Sequence, residues 1–421
     1  MTTHNEEMLT TTSEESPEKK NATCPIDHSA WSWQKTLQPT ETVAGAPIEC
    51  DADNVWHIRG FEATRAILRS PHTKQAGFNA EMLSSAPGTM RRPILYQEGK
   101  EHNAQRKQTA RFFTPKAVSD NYRQMMVKTS DKLIKRLKRQ KELDLTQLSL
   151  VMAVRVAGEV VGLTSSYPGL TKRLEAFFEA DLSHFSLRPR DLLNLLNVQT
   201  RLLAFFYLDV KPAIRAHRRK PQADVISHLL EQNCSDAEVL TECITYGAAG
   251  MATTREFISV AAWHFLERPE LRQRYLAATE EERYDMLHEA LRLEPIVGHL
   301  HRRTTQDIEI EQNGKQITIP AGALIDLHIH GSNSDESVVG ELPLALRPDR
   351  ELTGERLTPG LMSFGDGTHR CPGAYIAIQE SDIFLQRLLA IDSLRIICTP
   401  NVRWSTLTGG YELRNFTIAV D

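Results

Sequence analysis

Ser235-Asp236-Ala237-Glu238 is a capping box, and no helix breaker follows it until Pro269, so the pattern predicts one helix running to about Glu267. Roughly 32 residues at about 1.5 Å each span ~48 Å, enough to cross a whole domain. The fold must be wrapped around that helix. Inside it lies Tyr246-Gly247-Ala248-Ala249-Gly250-Met251-Ala252-Thr253-Thr254-Arg255-Glu256. Two glycines in mid-helix lower its stability and are hard to explain unless something bulky approaches the backbone there.

A second stretch supplies chemistry. Met362 to Ala374 (Met-Ser-Phe-Gly-Asp-Gly-Thr-His-Arg-Cys-Pro-Gly-Ala) reads as a glycine-loosened loop that presents one cysteine and turns directly into a helix. Cys371 then sits at a helix N-terminus, where free N–H groups and the positive end of the dipole favour a thiolate, a soft and strongly donating ligand for iron. Gly365, Gly367 and Gly373 remove side chains where a loop lies flat against a large planar ligand, and Phe364 can cover the sulfur from water. The bland alternative is a structural cysteine beside a Gly-rich turn. The other cysteines (Cys24, Cys50, Cys234, Cys243 and Cys398) have no paired spacing, which excludes a disulfide framework or a zinc-ribbon pattern.

The pattern Phe-Gly-x-Gly-x-His-x-Cys-x-Gly resembles the cysteine-ligand loop of the cytochrome P450 superfamily, the haem-thiolate monooxygenases. The long helix adds a second likeness. Ala249-Gly250-Met251-Ala252-Thr253 stands where the family's oxygen-binding helix has Ala/Gly-Gly-x-acid-Thr, so the threonine is kept and the acid is absent. Glu289-Ala290-Leu291-Arg292, followed by Pro295, matches the family's Glu-x-x-Arg motif. On its residues alone that pair is a helix salt bridge worth tenths of a kcal/mol. His102 and Arg106, four apart, share one helix face and by themselves read as solvated polar residues. By resemblance they, with Arg302 and His369, are partners for the haem propionates, and Arg350 completes a Glu-Arg-Arg cluster, with Arg356 close behind as the alternative.

The resemblance covers roughly Val55 to the C-terminus. It implies a mainly α fold with a small β region, the cytochrome P450 fold. Haem b (iron protoporphyrin IX) with an axial thiolate would lie between the long helix bearing Gly250 and Thr253 and the loop bearing Phe364, Cys371 and Gly373. Residues 1–23, mostly Thr, Ser, Glu, Lys and Asn, are expected to be a disordered tail, and 24–421 a single domain. The implied activity inserts one oxygen atom of O2 into a small apolar substrate. Thr253 would hydrogen-bond bound dioxygen and steady a proton-delivering water; its bland role is a hydroxyl bonded back to its own helix. Glu256, one turn further on, is a candidate to replace the missing acid through water, with a salt bridge as the equal alternative.

Substrate contacts are expected from the Ala76–Gly99 loop, the Gly169–Arg219 helices, Tyr246 and Ala249, the Ile296 to Leu300 segment with Val297 and Leu300, and Thr408 in a hairpin tip. The sequence carries no flavin or nicotinamide fingerprint and no iron–sulfur cysteine spacing, so two electrons come from outside. The resemblance implies a ferredoxin and its reductase, and Arg106, Lys107, Arg111 and Arg370 offer a basic face to an acidic donor. A peroxide-driven peroxygenase competes on the missing acid, although Thr253 argues against it; a haem-thiolate sensor or carrier is the non-enzyme reading.

A formal net charge of −4 excludes a global basic footprint for nucleic acid. No apolar run nears the ~20 residues that span a bilayer, and no basic-then-apolar signal order opens the chain, so a cytoplasmic monomer is expected. Asp307 to Ile310 and Gln316 to Ile319 read as a hairpin, and Ala323 to His330 as a strand. On that strand His328 and His330 form either a His-x-His metal site or two strand-face histidines.

Overall fold

The structure, a computed structural model, describes residues 34–36, 46–77, 92–178, 189–312, 314–405 and 409–421. The expected tail lies outside these residues. The capping box forms as its sequence dictates: the Glu238 amide donates to the Ser235 hydroxyl at 3.3 Å, and the Glu238 carboxylate accepts from the Ser235 amide at 2.8 Å. The helix it opens runs as Asp236–Gly247, a five-residue π segment Ala248–Ala252, and Thr253–Glu267. The π turn falls at Gly250, where the widened ladder marks a site rather than a packing element. Every residue from Thr254 to Phe265 is buried, so the helix is the axis of the core. It packs against Leu145–Val161, Glu280–Leu293 and Ala374–Leu389, with Phe257, Trp263, Phe265, Leu291, Phe384 and Leu388 in one hydrophobic cluster.

Glu289 and Arg292 are not the surface bridge their spacing alone suggests. Glu289 is 7% and Arg292 2% exposed. Glu289 receives Arg292 at 2.7 and 2.9 Å and Arg350 at 3.0 Å. Both guanidiniums spend their remaining N–H groups on backbone carbonyls: Arg292 on Asn333, Pro343 and Ala345, Arg350 on Val339, Glu341, Leu342 and Ala345. This triad therefore pins the irregular chain before the cysteine loop onto Glu280–Leu293. Arg356 is exposed and stands apart from it.

The strands are β1 (Ile48–Cys50), β2 (Val55–Ile58), β3 (Thr73–Ala76), β4 (Glu142–Asp144), β5 (His299–Thr304), β6 (Ile308–Gln312), β7 (Lys315–Ile319), β8 (Leu324–His328), β9 (Arg395–Cys398), β10 (Asn401–Ser405), β11 (Gly410–Arg414) and β12 (Thr417–Ala419). They form a sheet β1-β2-β8-β5-β3, a sheet β4-β12-β9, and the hairpins β6-β7 and β10-β11. In the five-stranded sheet β2 and β8 run parallel, with His57 opposite Asp326, while β5 and β8 run antiparallel, with His301 opposite Asp326 and His299 opposite His328. Because side chains alternate along a strand, Leu300 and Arg302 of β5 share one face, and His299 and His301 the other. The hairpin forms as read, but the strand after it stops at His328. His330 lies instead in the short helix Ile329–Asn333 and is buried, so the two histidines do not share a strand face. No helix among the described residues is long and apolar enough to cross a membrane.

Candidate functional site

A cavity of about 1330 Å³ lies between the long helix and the cysteine loop, and Ala249, Gly250, Thr253, Phe364, Cys371 and Gly373 all line it. The loop is held in shape by its own backbone. The Cys371 amide donates to the Phe364 carbonyl at 2.8 Å. Gly365 and Gly367 have φ of +67° and +65°, which side chains rarely adopt, and a Cβ on Gly367 would lie 2.3 Å from the Leu68 carbonyl oxygen. Asp366 accepts from the Gly367 amide at 2.7 Å and from Arg69 at 2.8 Å, fastening the loop to Phe61–Arg69.

Cys371 opens onto the cavity rather than bulk water, and Ala374–Leu389 begins three residues later. The amides of Gly373 and Ala374 bond the sulfur, as a helix N-terminus should. Burial nevertheless pushes the thiol up, against those amides and the Arg106 and Arg370 charges. The helix-end amides favour the thiolate as expected, but they are not the largest influence on it. Desolvation outweighs them, and a cation at the sulfur has to supply the rest.

One edge of the cavity concentrates basic groups. Of the four basic residues expected there, Arg302 and His369 line the cavity, while His102 and Arg106 stand behind the lining: His102 stacks on His369 with ring centroids 4.1 Å apart, and Arg106 donates to the Arg370 carbonyl. Arg302 is 4% exposed, lines the cavity, and among the described residues makes one hydrogen bond, to the His301 carbonyl at 2.8 Å. Burial draws its guanidinium down to about 10, with the Glu98 charge opposing. His102 falls to about 4, through burial first and then the His369 and Arg106 charges. Glu98 is the carboxylate that meets this group; it sits 3.0 Å from His369 and accepts from the Gln75 amide at 2.6 Å. A buried, thinly paired arginine facing a cavity, beside the His102 imidazole, whose charging burial disfavours, fits a ligand with carboxylates at one end.

On the long helix the Thr253 hydroxyl donates to the Ala249 carbonyl at 2.6 Å, the back-bonded role, while lining the cavity with its oxygen still able to accept. A Cβ on Gly250 would meet Ala157 Cβ at 3.4 Å, so close approach of Leu145–Val161 accounts for part of that glycine. Tyr246 lines the cavity and stacks on Phe113 at 6.0 Å. Glu256 is the salt-bridge alternative. It lies away from the cavity lining and accepts from Arg255 and the Leu413 amide at 2.7 Å and from Arg414 at 3.0 Å, which uses both its oxygens and corrects the relay reading. Val297 and Leu300 line the cavity, as do Pro93, Tyr96, Phe177 and Leu202 from the two segments expected to cover it. Thr408 lies outside the described residues; its hairpin is represented by Trp404 and Arg414.

Residues 284–393 match the family model described as Cytochrome P450. The biotin biosynthesis cytochrome P450 of Bacillus subtilis (strain 168) is 26% identical over 348 residues, which is 79% of this chain and 82% of that protein. The family-model match, the curated relatives and the structural neighbours are all cytochrome P450s. Two solved P450 structures share its fold. CalO2 has a TM-score of 0.74 at 19% identity, covering 89% of this chain and 93% of that one. P450BioI, in complex with an acyl carrier protein ligated by hexadec-9Z-enoic acid, has 0.70 at 23%, covering 89% and 95%. The family implies haem with cysteine thiolate ligation, and the sulfur at one wall and the basic edge at another fit that group.

Two acids near the cavity carry no motif in the sequence. Glu98 precedes the helix Gly99–Thr109 and carried no signal apart from its position. Glu380 lines the cavity from Ala374–Leu389, is 3% exposed, and bonds the Thr254 side chain; burial pushes its carboxyl well above the usual range. Its Oε2 has no hydrogen-bond partner among the described residues. The polar run Gln379-Glu380-Ser381-Asp382, which interrupts an otherwise largely apolar helix after Cys371 and is buried throughout, was the available clue.

Proposed function

We propose that this cytochrome P450 is a monooxygenase that inserts one oxygen atom of O2 into an apolar small molecule. Cys371 would hold the iron of a haem, haem b in this reading, and the electrons come from an external donor of the ferredoxin and ferredoxin reductase kind. The observation that carries the reading is the placement of Cys371 and Thr253 on one cavity. When bound, the haem supplies the oxidation chemistry, with thiolate donation favouring O–O cleavage. The chain supplies orientation and electrostatics. Arg302 and His369, which line the cavity, would hold carboxylates of the haem by charge-assisted hydrogen bonds, with His102 and Arg106 behind them.

Val297, Leu300, Ala249, Phe177 and Leu202 form an apolar wall that orients the substrate and excludes water. Thr253 accepts from a water, and Glu380 keeps a proton on its carboxyl beside Thr254, an acid for the helix that has Ala252 where the family has one. Lys107 and Arg111 are exposed and suit an acidic donor, whereas Arg106 is turned inward onto the cysteine loop. Turnover of a panel of apolar substrates with a surrogate ferredoxin, its reductase and NADPH tests the reading against hydrogen peroxide alone. Product only with peroxide would make the protein a peroxygenase. Binding without turnover under either condition would make it a sensor or carrier.

A further inference from the structure

The face of the five-stranded sheet opposite Leu300 and Arg302 gathers four histidines around one carboxylate. The register places His57 of β2, Asp326 and His328 of β8, and His299 and His301 of β5 side by side. His57 Nδ1, His328 Nε2 and Asp326 Oδ2 converge on one point, with separations of 2.9, 3.3 and 3.2 Å around the triangle. A tetrahedral ion with metal–ligand bonds of about 2.0–2.1 Å has ligand atoms roughly 3.3–3.4 Å apart, so the three atoms stand within a few tenths of an ångström of one face of such a site.

The surroundings are those of an oriented ligand set. His57 Nε2 lies 3.0 Å from Asp51 Oδ2, which fixes the proton on Nε2 and turns the Nδ1 lone pair toward the other two ligands. His299 Nδ1 reaches Asp326 Oδ1 at 2.8 Å and Oδ2 at 3.0 Å, and His301 Nε2 stands 3.6 Å from Oδ1. The carboxylate is thus gripped mainly through Oδ1, with Oδ2 turned to the histidine pair. The side chains of His57, Asp326 and His328 are 22%, 10% and 17% exposed, sheltered yet reachable from solvent.

We propose that His57, Asp326 and His328 bind a divalent transition-metal ion of the zinc class, with Asp51 and His299 as supporting partners. Two imidazoles and one carboxylate suit Zn2+, Co2+, Ni2+ or Cu2+ over Mg2+ and Ca2+, which take all-oxygen sets. Three protein ligands leave a fourth position for water. The site is separate from the haem: β5 carries Arg302 and Leu300 to the cavity on one face and His299 and His301 to the ion site on the other.

The test is equilibrium dialysis of the untagged full chain, stripped with a chelator, against ZnCl2, with metal counted by mass spectrometry and haem content followed as the measure of folding. One equivalent of zinc is expected. His57→Ala and His328→Ala should each weaken binding by about 100-fold or more, and Asp51→Asn by roughly 10–100-fold. His72→Ala, an exposed histidine outside the cluster, should bind as the parent does. X-ray absorption at the zinc edge of the parent needs no variant, and should show nitrogen and oxygen neighbours at about 2.0–2.1 Å with imidazole scattering. Absence of a stoichiometric ion, binding that survives both histidine substitutions, or sulfur in the first shell would overturn the proposal.

Discussion

Cys371 is caught between two demands. Its sulfur is bonded by two helix-end amides, and burial still pushes the thiol up, so the loop is built to receive a cation rather than to stabilise a bare thiolate. We expect Cys371→Ser to fold, since serine accepts the same amides, and to lose the thiolate-type band in the reduced carbon-monoxide difference spectrum. A parental band would remove Cys371 as the ligand. His288 shows the opposite kind of burial. Its imidazole, edge-on to Phe364 at 6.3 Å, is drawn from 6.5 down to about 4 by burial and by the Arg370 charge. The folded-state value lies below the unfolded one, so between these two pH values the unfolded chain binds a proton that the folded chain refuses. Stability from this residue is whole above that window and is lost as pH falls through it, by at most about 3 kcal/mol. His288→Gln should flatten the dependence of melting temperature on pH between 4 and 6.5, and an unchanged slope would assign the loss to other groups.

At the scale of elements, the long helix was legible because its start is chemical: a capping box can be read, and the apolar run behind it has no breaker. Its π segment was not legible, because two glycines mark a close approach without saying whether a neighbouring helix or a ligand makes it. The two acids near its midpoint divide in the same way. Spacing placed Glu256 one turn after Thr253, but only the hairpin β10-β11 shows that Arg414 and the Leu413 amide claim it. Glu256→Gln should therefore lower the melting temperature, by an equivalent of about 3 kcal/mol, and leave coupling of electrons to product unchanged. Glu380→Gln should do the reverse, keeping the fold while cutting product formation roughly tenfold or more and diverting electrons to hydrogen peroxide. Parental coupling in Glu380→Gln would send the proton by another route. The triad around Glu289 completes this scale: Arg350→Ala should cost about 3–5 kcal/mol and much of the haem content, whereas Arg356→Ala should cost nothing measurable by denaturant titration.

For the whole molecule, what could be read from the chain was whatever depends on neighbours in sequence, and what could not was whatever depends on register between distant strands. The loop, the long helix and the Glu289-Arg292 pair are local patterns, and they brought the fold with them. The five-residue histidine and aspartate cluster comes from β2, β5 and β8, with its extremes, His57 and His328, 271 positions apart, and no local motif announces it. The same limit applies to the boundary of the folded unit, expected near residue 24. Residues 34–36 close over the end of the core. The Lys35 amide donates to Glu294 at 2.6 Å, the Thr36 hydroxyl bonds the same carboxylate, and Gln34 donates to the Leu293 carbonyl at 3.2 Å. Glu294 is fully buried and also meets His264 at 2.9 Å, so these donors offset the burial of a carboxylate. Lys35 additionally pairs with Glu267 at the end of the long helix. Removal of residues 1–23 should leave the melting temperature as it is. Removal of residues 1–36 takes two donors from a buried carboxylate, each worth about 1–3 kcal/mol, and should lower stability accordingly. Thr36→Val in the full chain should show part of the same loss, and equal stability of all these variants would mean that the folded unit begins after residue 36.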